Sequence, residues 1–333
     1  MCIRDSTKNS SFEETAYLLL YDKLPTKQEL NEFNTKLIEA RYIPKQMQKN
    51  MENWRGDADP MDMLQAFVSA LAGYYDEEFS NKEASYDKAI NLIAKVPTII
   101  ASWQRIRNGL EIVDPDASLS HAANFLYMMS GEKPDPEVEK IFDVCLILHA
   151  DHTFNASTFT AMVTASTLAH PVQVIASAIG SLSGPLHGGA NEKVVSMLDD
   201  IGSKEHAKEW LDKRLNSKQV VWGMGHREYS TKDPRAKILT AMVEDFFKER
   251  GGEVSSKFET AMELEKACEE RLSKKGVYAN VDFYSGILYQ EIGIPVDLFT
   301  PIFAVSRTSG WLAHWIEQVS NNKIFRPTQN YIG

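Results

Sequence analysis

Residues 11–20, Ser11-Phe12-Glu13-Glu14-Thr15-Ala16-Tyr17-Leu18-Leu19-Leu20, decide the fold class. Ser11 followed by Glu14 is a capping box, in which a hydroxyl and a carboxylate satisfy the free amides of a helix start. Tyr17, Leu18 and Leu20 then supply the apolar face of that helix. The signal recurs along the chain. Thr26-Lys27-Gln28-Glu29 precedes Leu30, Phe33 and Leu37. Asp59-Pro60, Asp135-Pro136 and Asp233-Pro234 each set an N-cap acid before a proline at the first helical position. Met63, Leu64, Phe67, Val68 and Leu71 keep helical spacing. Gly202, Gly251, Gly276 and Gly293 follow periodic segments where C-cap glycines belong. Pro97 lies inside an apolar stretch and is expected to end or kink a helix. No run of alternating residues reads as a strand, so the chain is expected to be all-α.

Composition narrows the class of protein. The 333 residues suffice for a large core or two domains. No apolar run approaches the roughly 18–20 residues of a membrane span. Met1 to Ser10 is short and polar and lacks the apolar core of a secretory signal. Cys2, Cys145 and Cys268 are far apart and form no CxxC pair, which suits a reducing cytoplasm. The net charge of -10 argues against a nucleic-acid binder. It also means that an anionic substrate would need positive groups concentrated at its site. From about Glu192 to Lys275 the helices are rich in Lys and Glu, as in a smaller, more exposed lobe. The expected organisation is a large helical domain, 1–188 and 293–333, with a small helical domain, 189–292, inserted into it. The chain would cross between them near Gly188 and Gly293.

Four stretches combine Gly, His, Asp and Arg in ways that helix packing does not require. In Gly184-Pro185-Leu186-His187-Gly188-Gly189-Ala190-Asn191, a His in a glycine loop just ahead of a helix sits at a positive end. That end disfavours imidazolium and favours a neutral N–H donor. Gly223-Met224-Gly225-His226-Arg227-Glu228-Tyr229 again sets a His after glycines, and Arg235 follows nine residues later. It is too short for a dinucleotide fingerprint. Asn280-Val281-Asp282 heads a helix whose positive end would keep the carboxylate ionised, although an ordinary N-cap acid looks the same. His149-Ala150-Asp151-His152, with Asn155, has two His next to an acid, but not the i, i+4 pair of a metalloprotease helix. A polar hydrogen-bonding role suits it better than metal. Arg307 lies in an apolar helix with Trp311 and Trp315, where an arginine needs a partner such as a dianionic ligand. Arg326 precedes Pro327 in a terminal loop and is open to the same reading or to a surface ion pair.

Taken together, GPLHGGAN (184–191), GHREY (225–229) with Asp233-Pro234-Arg235, NVDFYSG (280–286) and HADHTFNAST (149–158) resemble the citrate synthase family. They occur in the family's order and at its approximate spacings, and the similarity runs from about Ser10 to Gly333. It is greatest to the short bacterial branch, which includes citrate and 2-methylcitrate synthases. The resemblance implies a two-domain helical homodimer in the cytoplasm with the active site in the cleft between domains. It implies condensation of acetyl-CoA with oxaloacetate and water to citrate and CoA, the entry step of the tricarboxylic acid cycle. The CoA thioester is a substrate, and no cofactor or metal is expected. His187, His226 and Asp282 would be catalytic. Arg235, Arg307 and His152 would bind oxaloacetate, and Arg326 would reach the partner subunit's site. The backbone at Val220, Val221, Gly223, Met224 and Gly225 would lie along the CoA adenine. The alternatives are a 2-methylcitrate synthase using propionyl-CoA, a non-catalytic helical scaffold, and a metal-dependent hydrolase around His149 and His152. Some features depart from the family. No YRGY-like segment precedes Ser10, so the chain reads as a fragment. Glu228 stands where an apolar residue is common, and Ala279 where proline is common.

Overall fold

The computed structural model describes residues 3–75, 82–251 and 254–333, with no side-chain detail for 3–5 and 82–84. The described residues form an all-α protein whose only strand-like pairing is one isolated bridge, between Met224 and Ala279. Sixteen helices follow in order: α1 (Ile3–Asn9), α2 (Phe12–Tyr21), α3 (Lys27–Ala40), α4 (Lys45–Glu52), α5 (Pro60–Ala70), α6 (Lys82–Arg107), α7 (His121–Ser130) and α8 (Pro136–His149), then α9 (Ala156–Ser166), α10 (Pro171–Leu182), α11 (Ala190–Ile201), α12 (Ala207–Asn216), α13 (Pro234–Glu249), α14 (Ser256–Leu272), α15 (Val281–Glu291) and α16 (Phe299–Ser320). None of the described helices is long and apolar enough to cross a membrane.

Local chemistry sets most helix starts. Thr26 and Glu29 form the full capping box, each side chain bonded to the other's amide. At α2 only half of the box forms. Ser11 accepts from the Glu14 amide at 3.3 Å, and Glu14 turns to Ser10, whose hydroxyl lies 2.5 Å away. Asp59 and Asp233 accept from amides of the first turn behind Pro60 and Pro234. Asp135 occupies the N-cap of α8 but makes no side-chain cap bond, so there the proline alone marks the start. Pro97 does not end α6, which runs through it. A proline inside a helix costs about 3 kcal/mol. Ile93, Ile99 and Ile100 around it are fully buried, and each such side chain stabilises by roughly 1.5–3 kcal/mol. Packing therefore wins over the missing amide.

The chain divides into two compact units, one of Met1–Asn9 with Gly184–Thr300 and the other of Ser10–Ser183 with Pro301–Gly333. The crossings lie at Ser183–Gly184 and Thr300–Pro301, outside the Gly188 and Gly293 suggested by composition. One local reason is the Thr300 hydroxyl, which reaches the Gly188 carbonyl at 3.2 Å and a Glu192 carboxylate oxygen at 2.5 Å. That binds the glycine turn and the start of α16 to the smaller unit. The first residues also belong there, since α1 packs on α13. In the smaller unit, α15 is surrounded by α11, α13 and α14. In the larger unit, α6 is the central element, packed by α3, α5 and α7, while α10 joins α9 to α5. Trp103 of α6 and Trp311 and Trp315 of α16 are fully buried.

One half-buried acid gives this core a pH dependence. Asp143 of α8 accepts from the Phe12 amide at 3.0 Å, at the first turn of α2. Burial, followed by the charge of Glu13, pushes its carboxyl up to about 7. The folded protein therefore keeps a proton that the unfolded side chain loses near pH 3.9. The contribution to stability is complete below about pH 4 and is lost as pH rises through 7, by up to about 1.4 kcal/mol per pH unit. Asp143→Asn keeps an oxygen for Phe12 and removes the titration. Calorimetry between pH 5 and 8 should give a flatter Tm profile for the variant than for the wild type. Equal slopes would place the loss elsewhere.

Candidate active site

In the smaller unit, a glycine loop and a helix start are sewn together. The Gly225 amide donates to the Tyr278 carbonyl at 2.7 Å, and the Asn280 amide donates to the Gly223 carbonyl at 2.9 Å. Gly223 has φ +73°. A Cβ there would lie 2.8 Å from Val194 Cγ2 and 2.9 Å from Phe283 Cδ2. Only glycine supplies both the backbone sign and the space. The Asn280 side chain works in two directions. Its Oδ1 accepts from the Asp282 amide at 2.9 Å and caps α15, while its Nδ2 donates to the Gly225 carbonyl at 2.8 Å. Asp282, half-buried, is thereby held in the first turn of α15 beside the loop that carries His226. Its carboxyl therefore stands at the positive end of α15. Ala279 takes part through its carbonyl, which accepts from the Asp233 amide at 3.3 Å and which a proline would offer equally.

His226 is half-buried, and its Nδ1 accepts from the Glu228 amide at 3.0 Å. An acceptor at Nδ1 places the proton of the neutral ring on Nε2. Burial, then the nearby Arg235 cation, depress its basicity, so the ring is neutral at pH 7. Glu228 thus serves through its backbone, and its side chain lies exposed in solvent. Tyr229 covers the imidazole at 4.9 Å between ring centroids. Arg235 Nη2 lies 3.5 Å from His226 Nε2. Both are donors, so they cannot satisfy each other, and together they suit one oxygen acceptor. Arg235 and Asp233 are both buried and form a fork, Nε to Oδ1 at 3.1 Å and Nη2 to Oδ2 at 2.8 Å. Burial opposes the charge of Asp233, and the Arg235 guanidinium and amide outweigh it, holding the carboxyl below its usual range. One edge of the guanidinium is therefore fixed by protein, and a ligand carboxylate would meet its other end.

His187 sits in the turn 184–189, its amide donating to the Gly184 carbonyl at 2.9 Å, just before Gly189, the N-cap of α11. At Gly286 of α15, a Cβ would lie 3.0 Å from the Asn191 carbonyl and 3.1 Å from Val195 Cγ2. The helix that follows His187 and the helix that carries Asp282 are thus in close contact. Along the expected adenine stretch, Val221 is buried and Val220 is exposed. The Gly223 and Gly225 carbonyls both bond Asn280, so the exposed edge of this stretch is at Val220.

In the larger unit, α16 holds the end of α8 and the loop after it. Arg307 is buried, donates its Nε to the His149 carbonyl at 2.7 Å and lies over the Phe303 ring at 4.7 Å. The Gly310 amide donates to the Ala150 carbonyl at 3.1 Å. His314 Nε2 lies 3.3 Å from Asp151 Oδ1. A Cβ at residue 310 would come within 2.4 Å of the Ala150 carbonyl. His152 follows, half-buried, before Thr153, which adopts φ +52°. Asn155 donates Nδ2 to the His152 carbonyl at 3.2 Å and accepts from the Thr158 amide at 3.1 Å, closing the loop onto α9. Arg307 and His152 are thus brought to one stretch. His149 faces inward, its Nδ1 donating to the Cys145 carbonyl at 2.8 Å. Among the described residues no three His, Cys, Asp or Glu side chains gather as a metal site would require. Arg326 lies exposed beyond α16, on a segment held to α9 by the Phe325 amide and the Ser166 hydroxyl at 3.1 Å. Sequence reasoning passed over Asn280, Tyr229 and Gly310. The signals were an Asx residue two before an acid at a helix start, and a glycine inside an apolar helix.

A neutral imidazole beside a fixed arginine, on a loop bonded to a helix start that carries an acid, is an arrangement suited to polarising a carbonyl and moving a proton. The relatives of the chain make the class specific. The family model for the citrate synthase C-terminal domain matches residues 1–328. A citrate synthase of Acidithiobacillus ferridurans is 50% identical over 99% of this chain and 87% of its own length. One of Synechocystis is 49% identical over 99% and 83%. A 2-methylcitrate synthase of Shewanella oneidensis is less similar, at 39% over 99% and 87%. A citrate synthase of Thermoplasma acidophilum, solved as a ternary complex with carboxymethyl coenzyme A and oxaloacetate, superposes with a TM-score of 0.93 at 33% identity, covering 99% of this chain and 88% of that one. The chain belongs to the citrate synthase family and is an enzyme of the citrate (Si)-synthase type, condensing acetyl-CoA with oxaloacetate.

The fit of the 150–155 loop on α16 is directly testable. Gly310→Ala would overpack it, and overpacking costs about 1–3 kcal/mol. Urea unfolding should report a loss of that size. Wild-type stability would mean that the loop yields freely.

Proposed function

We propose that His187, His226 and Asp282 carry the reaction and that Arg235, Arg307 and His152 bind oxaloacetate. The observation that carries this reading is the His226 ring, kept neutral with its proton on Nε2 next to Arg235. The Thermoplasma acidophilum relative, with its CoA analogue and oxaloacetate, supports the same ligand classes here.

The methyl group of a thioester is a weak acid, and a carboxylate is a weak base for it. Ionised Asp282 takes the methyl proton while neutral His187 donates to the thioester oxygen, where charge develops. Triosephosphate isomerase, which pairs a carboxylate base with a neutral His, follows the same logic. The enol carbon then attacks the oxaloacetate ketone, and His226 donates from Nε2 to the ketone oxygen as it becomes an alcohol. Arg235 and Arg307 orient the dicarboxylate, and His152 adds a hydrogen bond. Water then cleaves the citryl thioester, releasing citrate and CoA and drawing the reaction forward. The 220–225 stretch lies along the adenine, with Val220 as its exposed end. The protein acts in the cytoplasm, in the tricarboxylic acid cycle, as a homodimer in which Arg326 serves the partner's site. The two compact units correspond to the family's large and small domains.

Asp282→Ala should lower turnover at least about a hundredfold, the low end for loss of a general base. The assay is thiol release from acetyl-CoA with oxaloacetate, and circular dichroism confirms folding. Near-normal turnover in a folded variant would remove Asp282 from its role. Arg307→Lys keeps the charge but loses the planar fork. Its KM for oxaloacetate should rise about tenfold or more, and an unchanged KM would exclude Arg307 from the diacid site. Propionyl-CoA in the same assay tests the 2-methylcitrate reading, which requires it to outperform acetyl-CoA.

A further inference from the structure

A buried polar chain behind the site takes no part in the mechanism above. Glu265 projects from α14 and is 8% exposed. Its Oε2 accepts from the Tyr284 hydroxyl at 2.5 Å, and its Oε1 lies 2.6 Å from Lys232 Nζ. The same ammonium stands over the Tyr284 ring, 5.6 Å from its centroid. The phenol also meets a side-chain hydrogen bond from Thr240 and the charge of Glu244, both of α13. Lys232 immediately precedes Asp233, which grips Arg235. Tyr284 stands two residues after Asp282, in the same helix turn.

Stability does not explain this arrangement. A buried ion pair recovers little beyond its desolvation penalty, and apolar residues of similar volume often stabilise as well or better. What such a network does well is fix geometry. At one end, the loop 226–235 is held to α15 by Asn280 and Gly225. At the other end, the Asp233 amide meets the Ala279 carbonyl at 3.3 Å, a long bond. The Lys232–Glu265–Tyr284 chain is the second attachment at that end.

We propose that Glu265 is a positioning residue for the condensation. Through Lys232 and Tyr284 it fixes the loop carrying His226 and Arg235 against the helix turn carrying Asp282. The proposal rests on the site assignment above. It adds that the spacing of donor and base depends on a side chain that touches neither substrate.

The test uses the full chain and the thiol-release assay, with Tyr284→Phe, Lys232→Met and Glu265→Gln. Tyr284→Phe removes a single hydroxyl and keeps the ring under the ammonium, so it carries the test even where Glu265→Gln folds poorly. Misplacement of reacting groups acts on kcat. Each variant should lose roughly tenfold in kcat, with the acetyl-CoA KM within about twofold of wild type. The Lys232→Met/Tyr284→Phe double variant should fall no further than Glu265→Gln, because both act through one carboxylate. Wild-type kcat in Tyr284→Phe, or losses that multiply in the double variant, overturn the proposal. Asp282→Ala separates this from the site assignment. If it abolishes turnover while Tyr284→Phe is unaffected, only the positioning role fails. If Asp282→Ala is fully active, the assignment itself fails.

Discussion

The carboxamide of Asn280 accepts from the Asp282 amide and donates to the Gly225 carbonyl, and these two bonds join the helix turn of Asp282 to the loop bearing His226. An Asn at a helix N-cap is common, and by itself such a cap contributes about 1 kcal/mol. Here the same side chain has a second partner on another segment. The start of α15 cannot slide along its axis without pulling on Gly225. Gly225 cannot move without pulling on His226. The close approach of α11 to α15 at Gly286 extends this rigidity to the helix that follows His187. A helix start is thus used as a fixed mount for chemistry, which loops alone hold less firmly.

Electrostatics presents the second constraint. The chain carries a net charge of -10, and the diacid substrate is itself negative. Attraction must therefore be local. Arg235 is buried and already shares its charge with Asp233. In the proposed site its contribution is chiefly direction, because one edge of its fork is held still. Arg307 gives its Nε hydrogen to a neutral carbonyl, a bond that fixes the head group without neutralising it. The two arginines are therefore unlike. One has an edge held by a carboxylate, and the other is bonded through Nε to a neutral carbonyl, which leaves its charge unpaired by that bond.

Helix chemistry was readable in the sequence wherever it was local. The Thr26 box, the Asp59 and Asp233 caps and the all-α class follow from residues within a few positions of each other. The four glycine, histidine and acid motifs were readable as motifs because each is contiguous. The sequence does not reveal partners supplied from far along the chain. Pro97 stays inside α6 because the surrounding isoleucines are buried by other helices. Asp135 makes no cap bond although its pattern matches that of Asp59. Glu14 abandons its half of the box for Ser10. Gly310 looks like a weak point in an apolar helix until the Ala150 carbonyl is seen against it. Glu228 looked like a misplaced charge and is a backbone donor to His226.

That last contact bears on the choice of a neutral donor. In the role proposed for His226, an imidazolium would hold the ketone oxygen more strongly before reaction as well as during it. Binding that is equal in ground state and transition state leaves kcat unchanged. A neutral N–H still strengthens its hydrogen bond as negative charge grows on the oxygen. The structure enforces neutrality twice. Burial and the Arg235 charge disfavour a second proton. The Glu228 amide occupies Nδ1, the nitrogen on which that proton would have to sit. To become charged, the ring would have to break a backbone hydrogen bond and place two donors face to face, besides facing a cation 3.5 Å away. The protonated nitrogen is thus set by the backbone amide of residue 228, and it stays so for any residue there except proline.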